Sequence, residues 1–187
     1  MTAPDEADGL FEASDKEVLG ALGASVDEVR PSPSLKATLL QAVASTDPVV
    51  ALAGFAGRLG RLFDLPDAGV RDILRAVGSA EGWEPYLDRV TLYHFDPGPR
   101  VRAAGASQVD AGLVRFGAGM PYPRHRHLGD EYMFILSGGL VEDETGRRLV
   151  AGDFLHMAAG TEHGFRILPG EDCVAAVLLY DGLPEFV

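Results

Sequence analysis

Residues 119–139 read GMPYPRHRHLGDEYMFILSGG, and this stretch decides how the rest of the chain is read. His125 and His127 stand two residues apart in a run with the texture of a β-strand. Strand side chains alternate faces, so both imidazoles point the same way. Glu131 follows four residues later at the head of an apolar run, and Gly138-Gly139 ends that run in a turn. Two histidines and a carboxylate converging from adjacent strands make most of a metal site. A fourth ligand and a container are still needed.

Working outward, short apolar runs broken by Gly, Pro and Asp surround the stretch. VTLYHF (90–95), AGLVRF (111–116) and EYMFIL (131–136) read as strands. GGLVEDETGRRLV (138–150) reads as a hairpin turning at Glu144-Thr145-Gly146. FLHM (154–157), HGFRIL (163–168) and CVAAVLLY (173–180) follow, with Pro169-Gly170-Glu171-Asp172 turning the last pair. Many short strands with frequent turns predict an antiparallel sandwich or barrel.

Before Trp83-Glu84-Pro85 the pattern is helical. Asp15 to Leu22 predicts a short helix, and much of 1–10 is expected to be disordered. Ser34 caps a helix with Leu35, Leu39, Leu40 and Val43 on one face. Asp47-Pro48 starts a second, carrying Leu52, Phe55, Leu59, Leu62 and Phe63. Pro66-Asp67 starts a third, with Val70, Ile73, Leu74 and Val77 inward and Gly78 as its stop. Phe55 and Phe63 read as core rather than as a cofactor groove, and Arg58, Arg61, Arg71 and Arg75 as the solvated face. The expected division is a helical region and connector over 1–86 and a β-barrel over 87–187.

Composition bounds the function classes. The 187 residues are 47% hydrophobic, enough for one real core, and carry a net charge of −12. That charge argues against nucleic-acid backbone binding, which needs basic surface. No run approaches the roughly 20 apolar residues of a membrane helix, and the acidic start has no signal-peptide core. The expectation is a cytoplasmic protein with no membrane association. Cys173 is the one cysteine, so no internal disulfide and no cysteine zinc finger can form. In CVAAVLLY it reads as a buried small residue rather than a reactive thiol.

The fourth ligand comes from a later strand. Gly152-Asp153 opens one strand, Ala158-Ala159-Gly160 turns it, and His163 begins the next. Gly119, His125-x-His127, Glu131 and Gly138 fit the first cupin motif in spacing, and Gly152 with Gly160-x-x-His163 fits the second. The chain departs from the family at Ala158, where proline is usual, and at Ile167, where asparagine is usual; neither is a ligand position. This resemblance covers about 87–187. It implies a mainly β protein, a double-stranded β-helix or jelly-roll barrel preceded by a small helical segment. It also implies one divalent metal held by His125, His127, Glu131 and His163. Zinc is the first expectation, with iron, manganese or nickel as the other fits of a three-histidine, one-glutamate set. Inward residues alternate along barrel strands, so the geometry agrees.

The remaining histidines are His94, read as structural, and His156, which sits on the strand before the second motif. His156 faces either the lumen, as a group behind the ligands or an acid–base, or a sheet partner; register does not decide between them. Arg124 and Arg126 flank the ligand pair and point outward, Arg115 and Tyr132 are left unplaced, and Glu142-Asp143-Glu144 reads as a solvated turn.

The combination of PSPSLKATLLQAV, LFDLP, HRHLGDE, LVEDETG, AGDF and GEDC is similar to ChrR-like anti-sigma proteins, closest to their C-terminal cupin. That likeness implies a sensory or regulatory role in transcription under stress, a sigma factor or other regulatory protein as partner, and a homodimer. The family's anti-sigma zinc site uses histidines and a Cys-x-x-Cys pair. This chain has no histidine before His94 and no cysteine before Cys173, so that zinc site is absent. The reading is a metal-binding regulatory cupin, leaning away from an enzyme, with a small-molecule ligand in the barrel. The alternative is a metal-dependent dioxygenase acting on a small dicarbonyl or phenolic substrate, with His156 as its candidate base.

Overall fold

The computed structural model describes residues 47–104 and 106–187. The helices expected over Asp15–Leu22 and after Ser34, and the disorder expected over 1–10, lie outside these residues.

The helical connector begins where the cap predicts. Asp47 Oδ1 accepts a hydrogen bond from Val49 N at 2.9 Å, with Pro48 in the first turn of α1 (Pro48–Ala51). One continuous helix was expected here. Instead a 3-10 turn at Ala53–Phe55 separates α1 from α2 (Ala56–Phe63), with Gly54, a poor helix former, inside the break. Asp64, in the left-handed conformation at φ 54°, closes α2. Then α3 runs from Asp67 to Gly78. A Cβ on Gly78 would lie 2.8 Å from Pro48 Cγ, so glycine lets the end of α3 meet the start of α1. The four helix arginines named above are exposed.

Eleven strands follow: β1 (Glu84–Leu87), β2 (Val90–His94), β3 (Val109–Phe116), β4 (Pro121–Arg126), β5 (Glu131–Ser137), β6 (Gly139–Glu142), β7 (Arg148–Val150), β8 (Phe154–Met157), β9 (Glu162–Ile167), β10 (Cys173–Tyr180) and β11 (Glu185–Phe186). A short α4 (Pro99–Arg102) joins β2 to β3. β1, α4 and β11 were not legible in the sequence. The strands form a six-stranded sheet, β1-β2-β3-β10-β5-β8, and a five-stranded sheet, β11-β4-β9-β6-β7. Every pairing is antiparallel. This is a jelly-roll barrel with a small helical region before it. Among the described residues no helix is long and apolar enough to cross a membrane.

The two sheets close over one core, in which Phe116, Tyr122, Met133, Ile135, Leu140, Phe165 and Ile167 interdigitate. The outer face of the six-stranded sheet is covered as well. Leu113, Phe134, Leu136, Ala176 and Leu178 pack there with Leu59, Phe63, Val70, Ile73 and Leu74 of the helices. The helices of 48–78 thus share a core with the strands. Fully burying each large apolar side chain contributes about 1.5–3 kcal/mol.

β10 lies between β3 and β5 and is buried on both faces, which is why it reads as an unbroken apolar run rather than an alternating one. Cys173, Ala175 and Val177 enter the barrel, while Val174, Ala176 and Leu178 meet the helical side. Burial pushes the Cys173 thiol up to about 12, so it is a packed, protonated side chain.

Candidate metal centre

The first histidine pair is aimed by an irregularity. The β4–β9 register shifts between Tyr122 and His125, so these two residues, three apart, are both buried. Bulges of this kind re-aim side chains beside sites. His127 follows just past the end of β4. Its backbone is pinned by His127 N to Thr161 O at 3.0 Å and Gly160 N to His127 O at 2.8 Å. The glycine turn of the second motif therefore holds a residue of the first. His163, on β9, stands directly across from His125 in register.

These placements bring the three imidazoles together. Ring centroids lie 4.9 Å apart for His125–His127, 4.6 Å for His125–His163 and 5.0 Å for His127–His163. One nitrogen from each lies within 4.8 Å of the others. The rings are nearly inaccessible, at 2%, 2% and 3% exposure for His125, His127 and His163. Glu131, at the head of β5 in the opposite sheet, is buried and places Oε2 3.1 Å from His127 Nδ1, out of hydrogen-bond alignment. It stands beside the triad rather than within its tight nitrogen cluster.

The triad's hydrogen bonding bears on what it could hold. Both ring nitrogens of His127 and both of His163 are buried without a hydrogen-bond partner. Each such group costs about 1–3 kcal/mol. His125 differs: its Nδ1 lies 3.0 Å from Pro123 O. A carbonyl only accepts, so Nδ1 carries the proton and Nε2 keeps its lone pair. Burial lowers the His125 pKa to about 4 and lowers that of His163, where the neighbouring His127 adds to the effect. Imidazoles buried close together, with nitrogens left partnerless, fit a divalent cation, which needs deprotonated nitrogen donors.

One carboxylate was misread. Glu142, expected in a solvated acidic turn, is buried, while Asp143 and Glu144 are exposed. Its Oε1 lies 3.6 Å from His163 Nδ1, and its Oε2 accepts from Thr145 Oγ1 at 3.0 Å. The signal was present in β6: Glu142 is two residues past Leu140, which faces the barrel core, and so it shares that face. Reading the three acids as one block hid the alternation.

The other polar residues sort by face. Arg124 and Arg126 are exposed and pair with Glu162, and Arg124 also with Glu144. His156 does not enter the lumen. It pairs in register with Tyr132, one residue from Glu131, and strand alternation puts the two on the outer face. There the rings stack at 4.5 Å, and His156 Nε2 lies 3.4 Å from Asp130. Arg115 is also outside, over Trp83 and bonded to Val77 O.

A cavity of about 60 Å³ adjoins the triad. At about 10–15 Å³ for each water, it has room for about four to six. Its walls are mostly apolar, from Leu92, Val114, Met133, Phe165, Val177 and Leu179, with His125 and Glu131 on the metal side and His94 with Asp110 also lining it. His94, read as structural, is therefore a cavity residue.

Residues 100–180 match the family described as the ChrR Cupin-like domain. Dimethylsulfoniopropionate lyase DddQ of Ruegeria pomeroyi is 30% identical over 114 residues, 53% of this chain and 55% of that protein. The chain thus spans about half the length of the curated relative it matches. The structure of Rhodobacter sphaeroides SigE in complex with the anti-sigma ChrR aligns with a TM-score of 0.48 at 20% identity, over 89% of this chain and 77% of that one. An acetylacetone dioxygenase from Acinetobacter johnsonii aligns at 0.45 and 18% identity, over 58% and 74%. With its double-sheet barrel, its spaced histidines and the match over 100–180, the barrel region is cupin-like and similar to the cupin of ChrR-like proteins.

Proposed function

We propose that this chain is a metal-dependent cupin that takes a small oxygen-donor compound beside its metal. The observation that carries this is the buried triad with partnerless nitrogens, set against a cavity. His125, His127 and His163 supply nitrogen donors and Glu131 a carboxylate. Bound there, a divalent metal supplies Lewis acidity toward a carbonyl or carboxylate. The apolar walls exclude water and select for small size.

A cavity against the site favours turnover over a closed structural ion. Two reaction classes suit a small oxygen-donor ligand: a lyase, as in the name of the Ruegeria relative, and a dioxygenase acting on a dicarbonyl or phenolic compound. A regulatory reading has its own support in the ChrR Cupin-like match. In it, the same ligand is a signal, the helices pass it on, and the partner is a sigma factor or another regulatory protein. A cytoplasmic homodimer belongs to that reading.

Metal analysis of the purified protein tests the shared part. About one divalent ion per chain is expected, zinc first, and His163→Ala should lose it. Protein that holds no metal when supplied with zinc, iron, manganese or nickel would sink the proposal. Metal-loaded protein that consumes dimethylsulfoniopropionate or acetylacetone is an enzyme. Protein that consumes neither but retains a sigma factor in a pull-down is a regulator.

A further inference from the structure

Six titratable side chains line the cavity: Tyr86, His94, Asp110, Tyr122, His125 and Glu131. His125 and Glu131 belong to the metal in the reading above, on which this inference rests. Burial pushes the phenols of Tyr86 and Tyr122 up, so both keep their protons and neither can accept one. His94 and Asp110 remain.

These two are arranged as a base and its orienting group. His94 ends β2 on the face of Leu92, while Tyr93 between them turns outward against Trp83. Asp110 lies on β3 two residues before Gly112, another cavity residue. His94 Nδ1 is 2.9 Å from Asp110 Oδ1. A carboxylate only accepts, so the proton sits on Nδ1 and the Nε2 lone pair is free. The same logic orients the base of a hydrolytic triad. The His94 side chain is 47% exposed and that of Asp110 20%, so the imidazole touches both the cavity and bulk water.

We propose that His94, aligned by Asp110, accepts the acidic proton of a small carbonyl ligand whose oxygen end lies on the metal side of the cavity. A 1,3-dicarbonyl is the simplest member of that class. The C–H bond breaks, the proton goes to His94 Nε2, and the electron pair stays on the ligand as its enolate. The exposed imidazolium then returns the proton to water.

The test uses the full chain loaded with zinc, which has no redox chemistry, and acetylacetone as probe. The readouts are the near-ultraviolet absorbance of the enolate and the protons exchanged on binding, measured calorimetrically in two buffers of different ionisation heat. Wild-type protein is expected to form the enolate at pH 7. His94→Gln, which keeps bulk and a hydrogen bond but cannot take up the proton, should lower the enolate yield at least tenfold at unchanged zinc content. Asp110→Asn should lower it several-fold, and added imidazole should partly restore His94→Ala. Wild-type yield in His94→Gln, or no enolate in zinc-loaded wild type, overturns the inference and leaves the metal site standing. Wild-type protein that takes up no zinc fails at the metal site itself.

Discussion

On the outer face of the six-stranded sheet, Leu113, Phe134, Ala176 and Leu178 meet Phe63, Ile73 and Leu74, all of them buried and apolar. On the inner face, one residue along the same strands, Glu131 and Asp110 border a cavity, and Glu131 stands 3.1 Å from His127, whose ring nitrogens lack partners. The outer face adds burial energy without polar cost. The inner face keeps buried polar groups that lower stability until something binds them. Helical packing behind the sheet offsets the cost of the buried polar groups in front of it. A site and its support can lie back to back because strand side chains alternate.

The most severe way to break this comparison is to empty the outer face. Phe63 is fully buried and meets Phe95 edge to face at 4.8 Å. Phe63→Ala should destabilise the chain by about 3–5 kcal/mol in urea unfolding. Zinc bound per folded molecule should not change. If zinc affinity fell in step with stability, the two faces would not be separable.

Of the two faces, acid should act on the inner one. In metal-free protein the His125 pKa is about 4, against 6.5 for an unperturbed histidine, and that of His163 is also lowered. Below pH 6.5 the unfolded chain binds protons that the folded chain refuses. Stability should therefore be full above pH 6.5 and fall as the pH drops toward 4, by about 3 kcal/mol from His125 alone. Denaturant titrations in a chelating buffer at pH 7 and pH 4.5 check this. Phe63→Ala should show the same acid loss as wild type, on a lower baseline. A flat profile would mean that water reaches the imidazoles.

The same division explains what the sequence made legible. Spacing singled out His125, His127 and His163, which the fold brings together, because an i, i+2 pair and a glycine-turned return strand leave few geometries open. CVAAVLLY announced an apolar strand, and β10 has those bounds. Register was harder. His156 faces outward beside Tyr132, one residue out of phase with Glu131, and nothing in FLHM alone sets that phase. His94 was read as structural because it lies outside both motifs, and its partner Asp110 is sixteen residues away on the next strand. Short elements held by tertiary pairing, such as β1 and β11, carry no periodicity of their own. Glu142 was hidden by its company, since two of three consecutive acids are solvated.

Glu142 gives the smallest effect and the sharpest test, because it tells apart two kinds of inner-face polarity. Its carboxylate lies 3.6 Å from His163 Nδ1, which leaves Nε2 as the nitrogen of that ring that would hold a metal. A carboxylate in that position orients a ligating imidazole and raises its basicity, and losing it typically costs tenfold to a hundredfold, roughly, in metal affinity. Glu142→Leu keeps the bulk, matches the neighbouring Leu140 and removes a buried acid, so metal-free stability should hold or rise. Zinc affinity, read by competition with a chromophoric chelator, should fall by about tenfold to a hundredfold. Opposite signs in one variant are the mark of a residue kept for the site rather than for the fold. If both quantities fell together, Glu142 would belong to the scaffold; if neither moved, its approach to His163 would be incidental.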